Sequence, residues 1–118
     1  MTIYALSSGS GVSGIAVIRI SGIKTESVIN LLTNSVLPKP RTVKVKKFNK
    51  IGTSELIDEG ILIWFPGPES YTGEDMAEIH VHGSKAVVDA LHFSLSNIEN
   101  CRLAEPVSYT HLTLPTKA

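Results

Sequence analysis

Cysteine is nearly absent from this 118-residue chain, in which Cys101 stands alone. A lone cysteine excludes an internal disulfide and fits a reducing compartment. An excess of either charge is absent too, because 11 basic and 11 acidic residues give a formal net charge of zero. No global field therefore draws the chain to nucleic acid or to an anionic membrane, and any RNA contact has to come from a local patch. No apolar run approaches the ~20 residues of a membrane span. The start, Met1-Thr2-Ile3-Tyr4, lacks the basic and apolar regions of a signal peptide. Internal repeats and low-complexity segments are missing as well. What is present is globular: hydrophobic residues make up 42% and charged residues 19%, which argues against intrinsic disorder. The length fits one domain able to bury a core without metal or disulfide staples. A soluble, cytoplasmic domain with no membrane partner is expected.

Local patterns set out a sequence of elements. Thr2 to Ser7 reads as a short strand. Gly9-Ser10-Gly11-Val12-Ser13-Gly14 is a turn, and Ile15 to Ile20 is a β-branched strand that stops at Ser21-Gly22. Thr25 is placed to cap a helix striped by Val28, Ile29, Leu31 and Leu32. Arg41 to Phe48 alternates Val43 and Val45 with Lys44 and Lys46, as a half-exposed strand does. Ile51 to Glu59 is a connection, followed by apolar strands at Gly60 to Phe65 and Ala77 to Val81. Gly83-Ser84 opens a second helix with Val87, Ala90, Leu91, Ser94 and Leu95 at helical spacing, and Arg102 to Ala104 begins a last strand. The order β-β-α-β-β-β-α-β predicts an α+β fold, a single mixed β-sheet covered by two helices.

Gly9-x-Gly11-x-x-Gly14 matches the dinucleotide fingerprint literally, but the segment after it is a strand. The fingerprint works only where its last glycine opens a helix facing pyrophosphate. No Gly-Lys-Ser or Gly-Lys-Thr of a phosphate-binding loop occurs either, so neither NAD nor GTP is expected to bind.

Arg19 shares a strand face with Ile15 and Val17 and needs a carboxylate partner or a ligand, because an unpaired buried charge is costly. Glu78 is the natural candidate, either as an ion-pair partner or as a co-ligand. Glu78, His80 and His82 fall at i, i+2 and i+4 of one strand and share a face. They are zinc-type ligands, but at ~3.3 Å per residue they span about 13 Å, too far to converge on one ion, so no metal is expected. His82, before Gly83-Ser84, fits the entrance of the helix, where free backbone N–H groups favour an anionic group. Lys44, Lys46, Lys47 and Lys50 form the one basic cluster. Such lysines block pairing at a sheet edge, or else they contact RNA backbone. Cys101 reads as a small buried hydrophobe rather than a nucleophile.

The run Trp64-Phe65-Pro66-Gly67-Pro68-Glu69-Ser70-Tyr71-Thr72-Gly73-Glu74-Asp75-Met76-Ala77-Glu78-Ile79-His80-Val81-His82-Gly83 carries the most specific signal. It resembles, without a gap, the W-F-P-G-P-x-S-F/Y-T-G-E-D-x-x-E-I/L-x-x-H-G signature of the MnmE (TrmE) family, and Gly14 to Gly22 resembles that family's I-x-I/V-I/L-R-I/V-S-G strand. The resemblance covers residues 2 to 106. It implies the N-terminal folate-binding and dimerisation domain of a GTPase that installs an aminomethyl-type group at carbon 5 of the wobble uridine of tRNA. It further implies formyl-tetrahydrofolate as the cofactor, held by Arg19 and Glu78, with no catalytic residue in this domain. That assignment suits the residues. A carboxylate accepts the paired donors of a pterin edge, and an arginine fork suits the carboxylates of a folate tail. A third contact implied by the family, a lysine in R-A-F-x-N-x-K, belongs past Pro106 and has no counterpart here. GTP, potassium and magnesium are implied only for domains beyond this chain. The implied partners are a second copy of the chain and, through the full-length protein, an MnmG-type flavoprotein and tRNA. Two alternatives stay open: a stand-alone assembly module with a vestigial pocket, and a piece of a folate-dependent aminomethyltransferase.

Residues 1–106 are thus expected to form the domain, and 107–118 to be foreign. Val107 to Thr116 back-translates as GTC TCT TAT ACA CAT CTG ACG CTG CCG ACG, the end of a common transposase-based sequencing adapter. Such read-through is set aside from fold reasoning like any fusion scar. A peptide with no history of selection against this core should contribute nothing to it. Deleting residues 107–118 is therefore expected to leave the thermal unfolding midpoint unchanged, and a clear loss of stability would mark the tail as native.

Overall fold

A computed structural model describes residues 1–7 and 14–104. Residues 9–13 of the expected glycine turn and the expected boundary at Pro106 lie outside the described residues. The elements are β1 (Thr2–Leu6), β2 (Ile15–Ser21), α1 (Thr25–Thr33), β3 (Lys44–Asn49), β4 (Leu56–Phe65), β5 (Met76–His82), α2 (Lys85–Ser96) and β6 (Cys101–Leu103). This is the expected order. The strands form one mixed six-stranded sheet, β3-β4-β5-β2-β1-β6, in which only the β1–β6 pairing is parallel. Among the described residues, no helix is long and apolar enough to cross a membrane.

Alternation along the central strands separates two faces. Ile18 and Leu62 both lie opposite Ile79, and Ile20 and Trp64 both lie opposite Ala77. These residues are buried against Val28, Ile29 and Leu32 of α1 and Leu91 and Leu95 of α2. The opposite face carries Ile15, Val17 and Arg19 of β2, Glu78, His80 and His82 of β5, and Ile61 and Ile63 of β4. Both helices thus lie on one face, and the polar residues of interest lie on the other.

Several local expectations are corrected. Thr25 does not cap α1; Lys24 is the cap residue, with no side-chain cap bond. The Thr25 hydroxyl is buried and donates instead to the carbonyls of Gly22 (2.8 Å) and Asp75 (3.1 Å), while Thr2 Oγ1 accepts the Lys24 N–H at 2.7 Å. Val45 of β3 and Val43 just before it are exposed, because Lys44 lies opposite Leu62 and Val45 opposite Ile61. Even-numbered residues therefore face the helices: Phe48 is buried and Lys46 Nζ reaches Ser35 Oγ at 3.5 Å. Strand β4 begins at Leu56, inside the expected connection, because Phe48 and Lys47 pair with Asp58 and Glu59. Trp64 belongs to the core. Helix α2 starts as expected, with Ser84 Oγ accepting the Val87 N–H at 3.2 Å.

His92 of α2 is packed into this architecture with its ring 5.5 Å from that of Tyr4. Its Nε2 is buried with no hydrogen-bond partner among the described residues. Burial lowers its pKa below the ordinary 6.5, with a partial offset from the Asp89 carboxylate. The unfolded chain thus binds a proton more readily than the folded one. The stability from neutral His92 is complete above about pH 6.5 and is lost as the pH falls below it. His92→Leu should shrink the difference between unfolding midpoints measured at about pH 5.5 and about pH 7.5. An unchanged difference would show that His92 protonates in the fold without cost.

Candidate functional site

The antiparallel register of β2 and β5 sets Arg19 directly opposite Glu78 on the face without helices. Oppositely charged cross-strand neighbours attract, and here Arg19 Nε donates to Glu78 Oε2 at 2.9 Å. Their side chains are only 15% and 16% exposed, so the pair is partly desolvated. The other carboxylate oxygen, Oε1, lies 3.0 Å from Nε2 of His80, two residues along the same strand. Above the pair, the Tyr71 ring lies 4.9 Å from the Arg19 guanidinium carbon, a cation–π contact.

Tyr71 is held there by the loop between β4 and β5, residues 66–75. The carboxylate of Asp75 accepts the Gly67 N–H at 2.9 Å, and Ser70 Oγ donates to the Glu74 carbonyl. A Cβ on Gly67 would come within 2.9 Å of the Glu74 backbone, so only glycine fits this crossing. The loop is tied to the end of β2. Ser21 Oγ lies 2.7 Å from Thr72 Oγ1 and donates to Glu74 Oε1 at 3.2 Å, and the Gly22 N–H donates to the Asp75 carbonyl at 2.9 Å. Beside the roof opens a cleft of about 460 Å³, with Phe65, Tyr71 and Met76 as apolar and aromatic walls and Glu78, Ser70, Glu69 and Arg41 as its polar groups. Such a mixture of apolar walls and few polar groups suits a flat, partly polar ligand.

The profile of the family described as "GTP-binding protein TrmE N-terminus" matches residues 2–114. The chain belongs to that family. Over 112 residues it is 68% identical to the "tRNA modification GTPase MnmE" of Pelagibacter ubique (strain HTCC1062), covering 95% of this chain and 25% of that relative. It is 46% identical to the protein of the same name in Rhodopseudomonas palustris (strain ATCC BAA-98 / CGA009), with 92% and 24% covered. It is 44% identical to the "5-taurinomethyluridine-(tRNA) synthase subunit GTPB3, mitochondrial" of Danio rerio, with 92% and 22% covered. The chain thus spans about a quarter of the length of these relatives.

Within this TrmE N-terminal domain, Arg19 and Glu78 are brought together as their strand positions predicted. His82 is not. Its backbone N–H and its ring Nδ1 both meet the Asp58 carboxylate, at 2.9 Å to Oδ2, and its ring points to solvent. Burial alone would push the Asp58 carboxyl up, but the backbone and ring of His82 and the Glu59 N–H together hold it below the usual range. His82 therefore anchors β5 to β4, and Ser84 makes the helix entrance. Glu78–His80 and Asp58–His82 are separate pairs, and no group of three metal-ligating side chains occurs among the described residues. The lysine cluster is divided: Lys50 pairs with Glu55 at 3.1 Å, and Lys47 lies across from Glu59. Cys101 is buried and its thiol is pushed up to about 11, chiefly by burial, so it is no nucleophile near neutral pH.

Two residues of the cleft went unnoticed in the sequence. Tyr71 was visible as the aromatic position of the motif, and only its placement over Arg19 was hidden. Arg41 gave no local signal, since it sits in a segment that reads as strand.

The ion pair makes a stability prediction. Removing one partner of a partly desolvated pair strands the other, whereas replacing both by apolar groups is far better tolerated. Arg19→Met is expected to cost about 1–3 kcal/mol, and adding Glu78→Leu should recover most of it. Denaturant unfolding of both variants checks this. A double variant no more stable than the single one would mean that the pair itself, rather than an orphaned Glu78, supplies the stability.

Proposed function

We propose that this domain binds a reduced folate carrying a formyl group in the cleft beside Arg19, Glu78 and Tyr71. In the full-length protein it would serve as the folate-binding and dimerisation part of a GTPase that modifies the wobble uridine of tRNA. The observation that carries this reading is the Glu78 carboxylate on the cleft wall, oriented by Arg19 on one oxygen and His80 on the other. Each carboxylate oxygen has two lone pairs, so both can still accept the parallel donors of an amino-pyrimidinone edge. Phe65, Tyr71 and Met76 give a flat bicyclic ring apolar surfaces to lie against. Arg19 fixes the direction of the Glu78 carboxylate. The folate would supply the one-carbon unit, while this chain's residues bind and orient it and take no catalytic part.

Self-association finds support on the face opposite the helices. Ile15 and Val45 are exposed there and Ile61 and Ile63 half-exposed, and an apolar sheet face of this kind invites burial against a second copy. The relatives' names support tRNA modification and GTP hydrolysis for the whole protein. GTP, potassium, magnesium, tRNA and an MnmG-type flavoprotein would all engage parts beyond this chain, and a cytoplasmic location is proposed with them. The adapter-encoded reading of residues 107–118 rests on their back-translation. The family match that runs to residue 114 weighs against a boundary as early as Val107, and the deletion experiment decides.

Formyl-tetrahydrofolate is expected to bind weakly but saturably in a calorimetric titration. Glu78→Ala should abolish binding, because each buried donor left unpaired costs about 1–3 kcal/mol. Arg19→Lys should weaken it, since an ammonium does not reproduce the geometry of a guanidinium fork. No saturable binding by the wild-type chain would favour a vestigial pocket. Equal affinity for wild type and Glu78→Ala would remove Glu78 from the site.

A further inference from the structure

The arginine on the wall of the cleft is Arg41, whereas Arg19 acts through Glu78 and lies beneath Tyr71. Arg41 arrives from a different segment. Its backbone takes a left-handed conformation (φ 58°), and its N–H donates to the Trp64 carbonyl of β4 at 2.8 Å. Its Nη2 donates to the Glu69 carbonyl at 2.7 Å, which fixes the direction of the guanidinium. The side chain is nevertheless 45% exposed, and its charged neighbour among the described residues, the Glu69 carboxylate, is 83% exposed and 3.5 Å away. An ion pair so exposed and so long is weak. A guanidinium has five N–H donors, and the Glu69 carbonyl occupies one of them.

Glu78 lies across one edge of β4, opposite Ile63, while Arg41 is bonded to Trp64. If Arg41 continues on the far side of that strand, as the β3–β4 hairpin requires, the two backbones are two strand spacings apart, roughly 10 Å. The cleft therefore has an acceptor at one pole, aromatic and apolar walls between, and a preorientated cationic fork at the other. We propose that Arg41 is the specificity-determining residue that takes the carboxylate of the ligand's anionic tail. This rests on the folate reading, and it assigns the tail to Arg41 and leaves Arg19 to position Glu78. A fork fixed by a backbone carbonyl loses little freedom when a carboxylate docks on it in two-pronged fashion.

The test compares two ligands on the 118-residue chain, formyl-tetrahydrofolate and a tetrahydropterin of the same ring without the benzoylglutamate tail. The wild type should prefer the tailed ligand by about tenfold or more, the value of one charge-assisted hydrogen-bonded contact. Arg41→Gln should remove most of that preference while leaving the affinity for the tail-less ring unchanged. Arg41→Lys, which keeps the charge but not the fork, should fall between. An unchanged preference in Arg41→Gln would overturn the proposal. So would an equal loss for both ligands, which would make Arg41 only a staple of the 66–75 loop. If the wild type binds neither ligand, the folate reading itself fails and the Arg41 assignment goes with it. If it binds both equally, the folate reading stands and only the Arg41 assignment falls.

Discussion

The register of β2 against β5 is the constraint on which the rest of the molecule depends. Side chains alternate along a strand, so the pairing that puts Ile18 beside Ile79 in the core must put Arg19 beside Glu78 on the other face. A slip of β2 by one residue would drive Arg19 under the helices, away from Glu78, and turn Ile18 and Ile20 outward. Burial of those side chains is worth about 1.5–3 kcal/mol each, which makes the slipped register untenable. The geometry of the candidate site is thus enforced from behind the sheet. Ile18, Ile20 and Ile79 do not line the cleft, yet they set which carboxylate meets which guanidinium.

The same economy governs the roof. Strand β2 ends at Ser21-Gly22, and both residues hold the 66–75 loop in place, one through its hydroxyl and the other through its backbone N–H. Thr25, at the start of α1, adds a bond to the Asp75 carbonyl. The loop therefore leans on the framework at a point beside Arg19, which lets Tyr71 cover the guanidinium without a strand or helix of its own. Glycine at position 67 permits the close crossing that this path requires. A polar loop is made rigid by a few short bonds to residues whose positions the core already fixes.

Much of this was legible in the sequence, and the gaps have physical causes. Strand alternation and helix stripes report on burial, so the element order, the single mixed sheet and the shared face of Arg19 and Glu78 could be read from them. Thr25 was misread as a cap because a hydroxyl at a helix start satisfies the local rule, while its actual acceptors include Asp75, fifty residues away. Val43 and Val45 alternate correctly but with the opposite sense, because the face of an edge strand is set by its neighbour's register and not by its own hydrophobicity. Arg41 could not be found at all. Its relevance comes from a bond to Trp64 and a bend with positive φ, neither of which leaves a periodic trace.

Charge distribution completes the logic. The chain as a whole is neutral, so no long-range field concentrates an anionic ligand near it. Near the cleft, Arg19 and Glu78 largely cancel, and Arg41 and Glu69 meet only across 3.5 Å of solvent-exposed space. Recognition of the proposed ligand would then come from short-range geometry rather than from attraction at a distance. Salt screens exposed charges within about 10 Å at ordinary ionic strength, but it acts far less on a partly buried pair. The Glu78 pole, partly buried and fixed on both oxygens, would therefore be little affected by salt in the folate site proposed above. The exposed Arg41 pole is open to competition from ions in solution. On the proposed folate reading, a site built this way would discriminate by shape and donor pattern at its inner end, and by charge only at its rim.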